Sequence, residues 1–166
     1  MLVGEFVLGN KTTIMVFKAL IRLFKKLQVV AISGKNEKMK KKLNKLVEST
    51  ASSDRVKVLE YTNKVPELMS ISSYVITKPG GLTSTESLCS HLPMVIINPI
   101  PGQEEENAEF LVNSGVAIWI KKNDNIARAL KMLYRNPEKL VSMKESAIAL
   151  AKPDSTADIC KTLMEN

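Results

Sequence analysis

The sequence has no apolar run approaching the roughly 20 residues that a bilayer-spanning helix needs. It holds two cysteines, Cys89 and Cys160. That is too few for a disulfide framework, and their spacing is not that of a metal site. Both lie in apolar stretches of helical period, so buried, reduced thiols are expected. One histidine, His91, is present; it falls at a predicted helix end just before Leu92-Pro93, where a C-terminal helix position explains it better than catalysis. The eight aromatics (one Trp, three Tyr, four Phe) are not interleaved with the basic residues, which argues against a nucleic-acid stacking surface. No G-x-G-x-x-G pattern opens a nicotinamide or flavin site. Gly4-Glu-Phe-Val-Leu-Gly9-Asn-Lys11-Thr12 nearly spells a phosphate-binding P-loop, but Asn10 breaks the spacing and Phe6-Val-Leu8 reads as strand. No serine or cysteine nucleophile motif and no self-contained carboxylate pair is evident. No metal ligand set emerges, and the catalytic residues stay unassigned.

What is present is a globular composition: 166 residues, 45% hydrophobic and 25% charged. That length suits one domain, spanning 1–166, with a sizeable core. The net charge of +7 points to a phosphate ligand or an anionic surface. The densest basic run, Lys38 to Lys45, has its apolar residues at helical spacing and reads as a solvated helix face. The stretch 14–27 sets Lys18, Arg22, Lys25 and Lys26 against Phe17, Leu20, Ile21, Phe24 and Leu27, the pattern of a helix packed on a sheet; an interfacial membrane role is the alternative. The N-terminal residues lack a basic region ahead of an apolar stretch, so no secretory signal is expected and a cytoplasmic location is.

Short β-branched runs alternate with amphipathic stretches. Strands are expected at 2–8, 28–33, 56–61, 74–77, 94–98 and 116–120. Helices are expected near 12–27, 36–49, 65–71, 83–91, 104–114, 123–134, 136–151 and 155–164. Val95-Ile-Ile and Tyr74-Val-Ile are nearly continuously apolar, as when helices cover both faces of a sheet. The pattern implies an α/β fold: a Rossmann-like, doubly wound parallel sheet of about six strands.

Ligands of such sheets bind at the carboxyl ends of the strands. Five loops fall there: Gly9-Asn10-Lys-Thr12, Gly34-Lys-Asn36, Tyr61-Thr62-Asn-Lys64, the segment 78–86, and Pro99 to Asn107. In Lys78-Pro-Gly-Gly-Leu-Thr-Ser-Thr-Glu86, two glycines let backbone approach a ligand, and first-turn amides can hold a diphosphate. The same residues spell a capping box, Thr83 capping the helix and Glu86 reaching back. In the fifth loop the macrodipole accounts for part of Glu104-Glu-Glu106. It leaves Gln103 and Asn107, one turn apart on one face; amides and carboxylates together suit sugar hydroxyls.

Taken jointly, 77–86, Leu92-Pro-Met-Val-Ile-Ile-Asn-Pro99, Gly102-Gln-Glu-Glu-Glu-Asn107 and Asn113-Ser-Gly-Val-Ala117 resemble the C-terminal half of family 28 glycosyltransferases. The resemblance is strongest from 56 to 117, and monogalactosyldiacylglycerol synthases and processive diacylglycerol glucosyltransferases look most similar. It implies the C-terminal, donor domain of a GT-B fold, a fragment of a two-domain enzyme. The missing N-terminal domain would receive the lipid acceptor and supply the base. Glu86 would bond the ribose, and Gly80, Gly81, Leu82 and Thr83 would hold the diphosphate. Gln103, Glu104 and Asn107 would grip the sugar, and the Thr62 backbone would meet uracil. Gly9, Asn10, Gly34 and Asn36 form a further phosphate-loop candidate, although Gly4 to Gly9 is poorer in glycine than the family's first loop. The UDP-sugar is a substrate, so no cofactor or metal is implied. The resemblance allows peripheral contact at the inner face of the membrane, and implies that the chain alone binds UDP-glucose or UDP-galactose without transferring the sugar. A sugar-nucleotide epimerase of the same architecture and a non-catalytic nucleotide- or membrane-binding module remain as alternatives.

Overall fold

The computed structural model describes residues 2–3 and 10–165. Its sheet has six strands: β1 (Leu2–Val3), β2 (Val29–Ile32), β3 (Val56–Leu59), β4 (Val75–Thr77), β5 (Met94–Ile97) and β6 (Ala117–Ile120). All pairings are parallel and the order is β3-β2-β1-β4-β5-β6. This is the doubly wound arrangement expected from the sequence, with its switch point between β1 and β4. Of the strand expected at 2–8, residues 4–8 lie outside the described residues.

Eight helices are described: α1 (Asn10–Leu23), α2 (Glu37–Ser49), α3 (Val65–Ser70), α4 (Gly81–Cys89), α5 (Gln103–Asn113), α6 (Ile126–Tyr134), α7 (Pro137–Leu150) and α8 (Ser155–Met164). Successive strand residues point to opposite faces, and the core divides accordingly. Ile76, Val95 and Ile97 pack with Phe17, Leu43 and Leu130 under α1, α2 and α6. Val75, Met94 and Ile96 pack with Met69, Ala108 and Leu111 under α3 and α5. Strands buried on both faces need no polar alternation, which is why β5 reads as an unbroken apolar run and β4 is apolar up to the buried Thr77. Helix α7 puts Met143 in the first core and Ala147 in the second, and packs on α4 and α6.

Helix ends follow from local chemistry. Asn36, Asn125 and Asn136 accept from the N3 amides of α2, α6 and α7. At the far end of α1, the Arg55 guanidinium donates to the carbonyls of Ile21 (2.6 Å), Phe24 (3.1 Å) and Leu27 (3.2 Å), so a cation meets the negative end of the dipole. After α4, the amides of His91 and Leu92 donate back to Leu88 and Ser87, a Schellman ending. His91 is the left-handed residue of that ending (φ 51°) and is exposed, the structural role the sequence favours for it.

The cysteines depart from expectation. Cys89 and Cys160 are both exposed. In α4 the buried positions are Ser84 and Ser87, so Cys89 falls on the outer side, while α8 has no buried residue. Apolar neighbours in sequence did not make an inward face.

Helix α5 ends in the same Schellman geometry, with Gly115 at φ 75° and its amide bonded to Val112. A Cβ there would meet the Ser146 Oγ at 3.0 Å. Left-handed strain costs on the order of 1–3 kcal/mol for an ordinary residue. Gly115→Ala should therefore lower the unfolding free energy in urea by at least about 1 kcal/mol. An unchanged midpoint would show that the α5–β6 turn relaxes freely.

Candidate functional site

Parallel pairing brings every strand's carboxyl end to one edge of the sheet. Thr77 pairs with Ile96, so the chains leaving β4 and β5 emerge side by side, next to the switch point. The β1 loop on its other side, including Gly9, lies outside the described residues; the backbone of Asn10 opens α1.

Beyond Thr77 the chain runs through half-buried Lys78 and buried Pro79 to Gly80. Pro79 biases Lys78 away from helical backbone, and Gly80 is still extended (φ −65°, ψ 147°). Helix α4 then begins at Gly81, and the first backbone bond of its ladder runs from Ser84 N–H to Gly80 O, at 2.9 Å. The amides of Gly81, Leu82 and Thr83 therefore precede the ladder, and no side chain among the described residues caps them.

This corrects the capping-box expectation. With the helix starting two residues earlier than the pattern suggested, Thr83 is its third residue, not its cap. The hydroxyl bonds of this turn run from Thr85 to the Gly81 carbonyl (3.0 Å) and from Ser87 to the Thr83 carbonyl (2.7 Å). Glu86 is exposed, as are Gly81 and Leu82. Space in front of Gly81 is open among the described residues: a Cβ built there would meet none of their atoms within 4 Å. The Ser84 hydroxyl, three residues further, is buried and has no hydrogen-bond partner among the described residues.

The β5 loop turns at Gly102, whose φ of 93° and ψ of −126° suit glycine alone. Helix α5 then starts at exposed Gln103. The Glu104 carboxylate folds back to accept the Ile100 amide at 2.7 Å, and its same oxygen lies 3.4 Å from Lys78 Nζ. Its other oxygen sits 4.0 Å from where a Gly80 Cβ would stand. One turn on, Asn107 Nδ2 donates to the Pro79 carbonyl at 2.9 Å. Two side chains of α5 thus clasp the β4 loop.

The structure accordingly gathers Gly80, Gly81, Glu104 and Asn107 into one cluster. Lys78 belongs to it as well. It stood in the motif but had no role assigned; the sign of one was a lysine at a buried strand end facing an acidic helix start. Thr62 and Gly34 lie on the same edge, after β3 and β2. Thr62 Oγ1 accepts the Lys64 amide at 3.1 Å, Gly34 takes φ 58°, and Asn36 caps α2 through the Met39 amide at 2.9 Å. No hydrogen bond among the described residues links these loops to the clasp. Nor do the described residues include a group of three or more His, Cys, Asp or Glu placed to hold a metal ion.

Comparison with known proteins places the fold. The fold is that of the C-terminal domain of GT-B glycosyltransferases. Staphylococcus aureus MnaA, solved with UDP, matches over 96% of this chain and 43% of its own, at 19% identity and a TM-score of 0.73. Anabaena HepE, also solved with UDP, matches over 99% of this chain and 49% of its own, at 19% identity and a TM-score of 0.68. The chain belongs to the glycosyltransferase family 28 C-terminal domain family, which it matches over residues 10–159. It is 36% identical over 139 residues to a processive diacylglycerol beta-glucosyltransferase of Bacillus cytotoxicus, covering 84% of this chain and 35% of that enzyme. The chain thus spans about a third of the length of such relatives.

The clasp makes a direct prediction. Asn107→Ala removes one partly buried hydrogen bond and leaves the Pro79 carbonyl without its partner, which should cost about 1 kcal/mol. Lys78→Met, which breaks a partly exposed ion pair, should cost less. Urea denaturation of both variants checks the order; a Lys78→Met cost above that of Asn107→Ala would show that charge, not the amide bond, holds the loop.

Proposed function

We propose that the chain is the UDP-sugar-binding half of a two-domain glycosyltransferase, taking UDP-glucose or UDP-galactose as donor. Supporting this, above all, are the three uncapped amides of Gly81, Leu82 and Thr83, beside the switch point and next to open space. Such amides, at the positive end of a helix, are a ready site for a diphosphate. Glu86, one turn further along α4, would accept from the ribose hydroxyls. Thr62, after β3, would present backbone to the uracil edge. Gln103, Glu104 and Asn107 would take the sugar hydroxyls; for Asn107 and Glu104 this means sharing or exchanging contacts now made with the β4 loop. Gly34 and Asn36, together with Gly9 and with Asn10 at the start of α1, would line the phosphate side.

The relatives' names support a diacylglycerol acceptor, received by the other domain of the enzyme. In this reading the base also belongs to that domain, and the enzyme acts peripherally, at the cytoplasmic face of the membrane. Among the described residues no helix is long and apolar enough to cross a membrane. Backbone dipoles and Lys78 would stabilise the departing UDP in place of a metal. Family membership favours transfer over the epimerase alternative.

Calorimetric titration with UDP, UDP-glucose and UDP-galactose, with ATP and NAD for comparison, tests the reading. UDP and a UDP-hexose should bind and the other nucleotides should not. Glu86→Ala should weaken UDP roughly 10- to 100-fold, the worth of a charged hydrogen bond. Unchanged affinity in that variant would remove the ribose assignment. Hexose transfer to diacylglycerol by the 166-residue chain alone should be undetectable, and observing it would refute the two-domain reading.

A further inference from the structure

The helices on the two faces of the sheet carry opposite charge. Helices α1, α2 and α6 cover one face and contain ten Lys or Arg against two Glu. Helices α3, α4 and α5 contain six Glu and no Lys or Arg. Residues 10–49 alone hold eleven basic and two acidic side chains, a net +9 against +7 for the whole chain, so the remainder is −2. Neither the core nor the nucleotide-site residues need such a separation.

The basic layer also has a shaped centre. Between α1 and α2 lies an open groove of about 720 Å³. Ile14, Met15 and Leu46 contribute apolar surface to it, and Lys11, Lys18, Lys42 and Lys45 line it as well. Met15 is 49% exposed, with Leu23 at 38% on the same helix and Met132 at 64% on neighbouring α6. Among the described residues, the basic side chains of this layer make one ion pair, Lys40 with Glu60. The four groove lysines therefore present uncompensated charge around an apolar surface. That combination matches an anionic headgroup with acyl chain beneath it. It fits a nucleic acid poorly, since no aromatic side chain among the described residues lines the groove.

We propose that the α1–α2 groove docks the protein onto anionic phospholipids of a bilayer. The charge separation across the sheet turns the basic layer toward a negative surface and the Glu-bearing layer away. The layer covers a sheet face, whereas the strand-end loops occupy a sheet edge, so docking leaves that edge open. This goes a step past the peripheral location in the proposed function by naming the face and the lipid chemistry, and it does not depend on donor binding.

The test is co-sedimentation of the chain with vesicles of phosphatidylcholine alone, or with about 30 mol% phosphatidylglycerol added. Wild type should bind only the anionic vesicles, less as salt rises. The triple reversal Lys18→Glu, Lys42→Glu, Lys45→Glu should weaken partitioning by roughly a hundredfold or more, each surface lysine being worth about fivefold. A control reversal of Lys139, Lys144 and Lys152 to Glu changes the same net charge outside the layer and should retain most of the binding. Circular dichroism and UDP titration of both variants separate misfolding and donor-site loss from loss of docking. Absent wild-type binding to anionic vesicles would overturn the proposal. So would equal losses in both reversals, which would reduce it to net charge, or lysine-dependent binding to a DNA duplex without vesicle binding.

Discussion

The parallel register of β4 against β5 is the constraint on which the candidate site depends. Val75 opposes Met94 and Thr77 opposes Ile96, so the two strands end at nearly the same level. Each must then continue into its own helix, and both helices start at the same edge, on the same face. Only because of that register can the Asn107 side chain reach the Pro79 carbonyl, or the Glu104 carboxylate reach Lys78. A one-residue slip would turn every β4 side chain to the opposite face, and would expose Ile76 or Val75 to the wrong core. Hydrophobic burial on both faces therefore fixes the position of polar groups that never enter the core.

The clasp holds the β4 loop in a shape that a free loop would not keep. Gly80 stays extended and the first turn of α4 is left uncapped, so its dipole is not neutralised by the protein's own hydroxyls. The Glu104 carboxylate lies close by, held at the loop by Lys78 and the Ile100 amide. An arriving diphosphate would meet a lysine already in place and a carboxylate with an alternative use. On the proposed donor-site reading the arrangement is preorganised: the cost of ordering the loop would be met in folding and not in binding.

The sheet and its edge loops were legible in the sequence because they rest on gross patterns. Tyr74-Val-Ile-Thr77 is nearly continuously apolar and Met94-Val-Ile-Ile97 is apolar throughout, as expected of strands in a doubly covered sheet. The start of α4 was not legible in detail. Thr83-Ser-Thr-Glu86 has the spacing of a capping box, and the pattern carries no information about whether Pro79 and Gly80 release the helix earlier. The cysteines misled for a related reason: α4 buries serines, and α8 buries nothing, so apolar content did not identify an inner face. The role of Lys78 depended on a partner 26 residues away, which only the β4–β5 register brings near.

The most direct test of the donor-site account is a crystal structure of the chain with UDP bound. The account predicts diphosphate oxygens within about 3.2 Å of the Gly81, Leu82 and Thr83 amides, with the Glu86 carboxylate on the ribose. A diphosphate seated instead at the Gly34–Asn36 turn, with the α4 amides facing solvent, would contradict it.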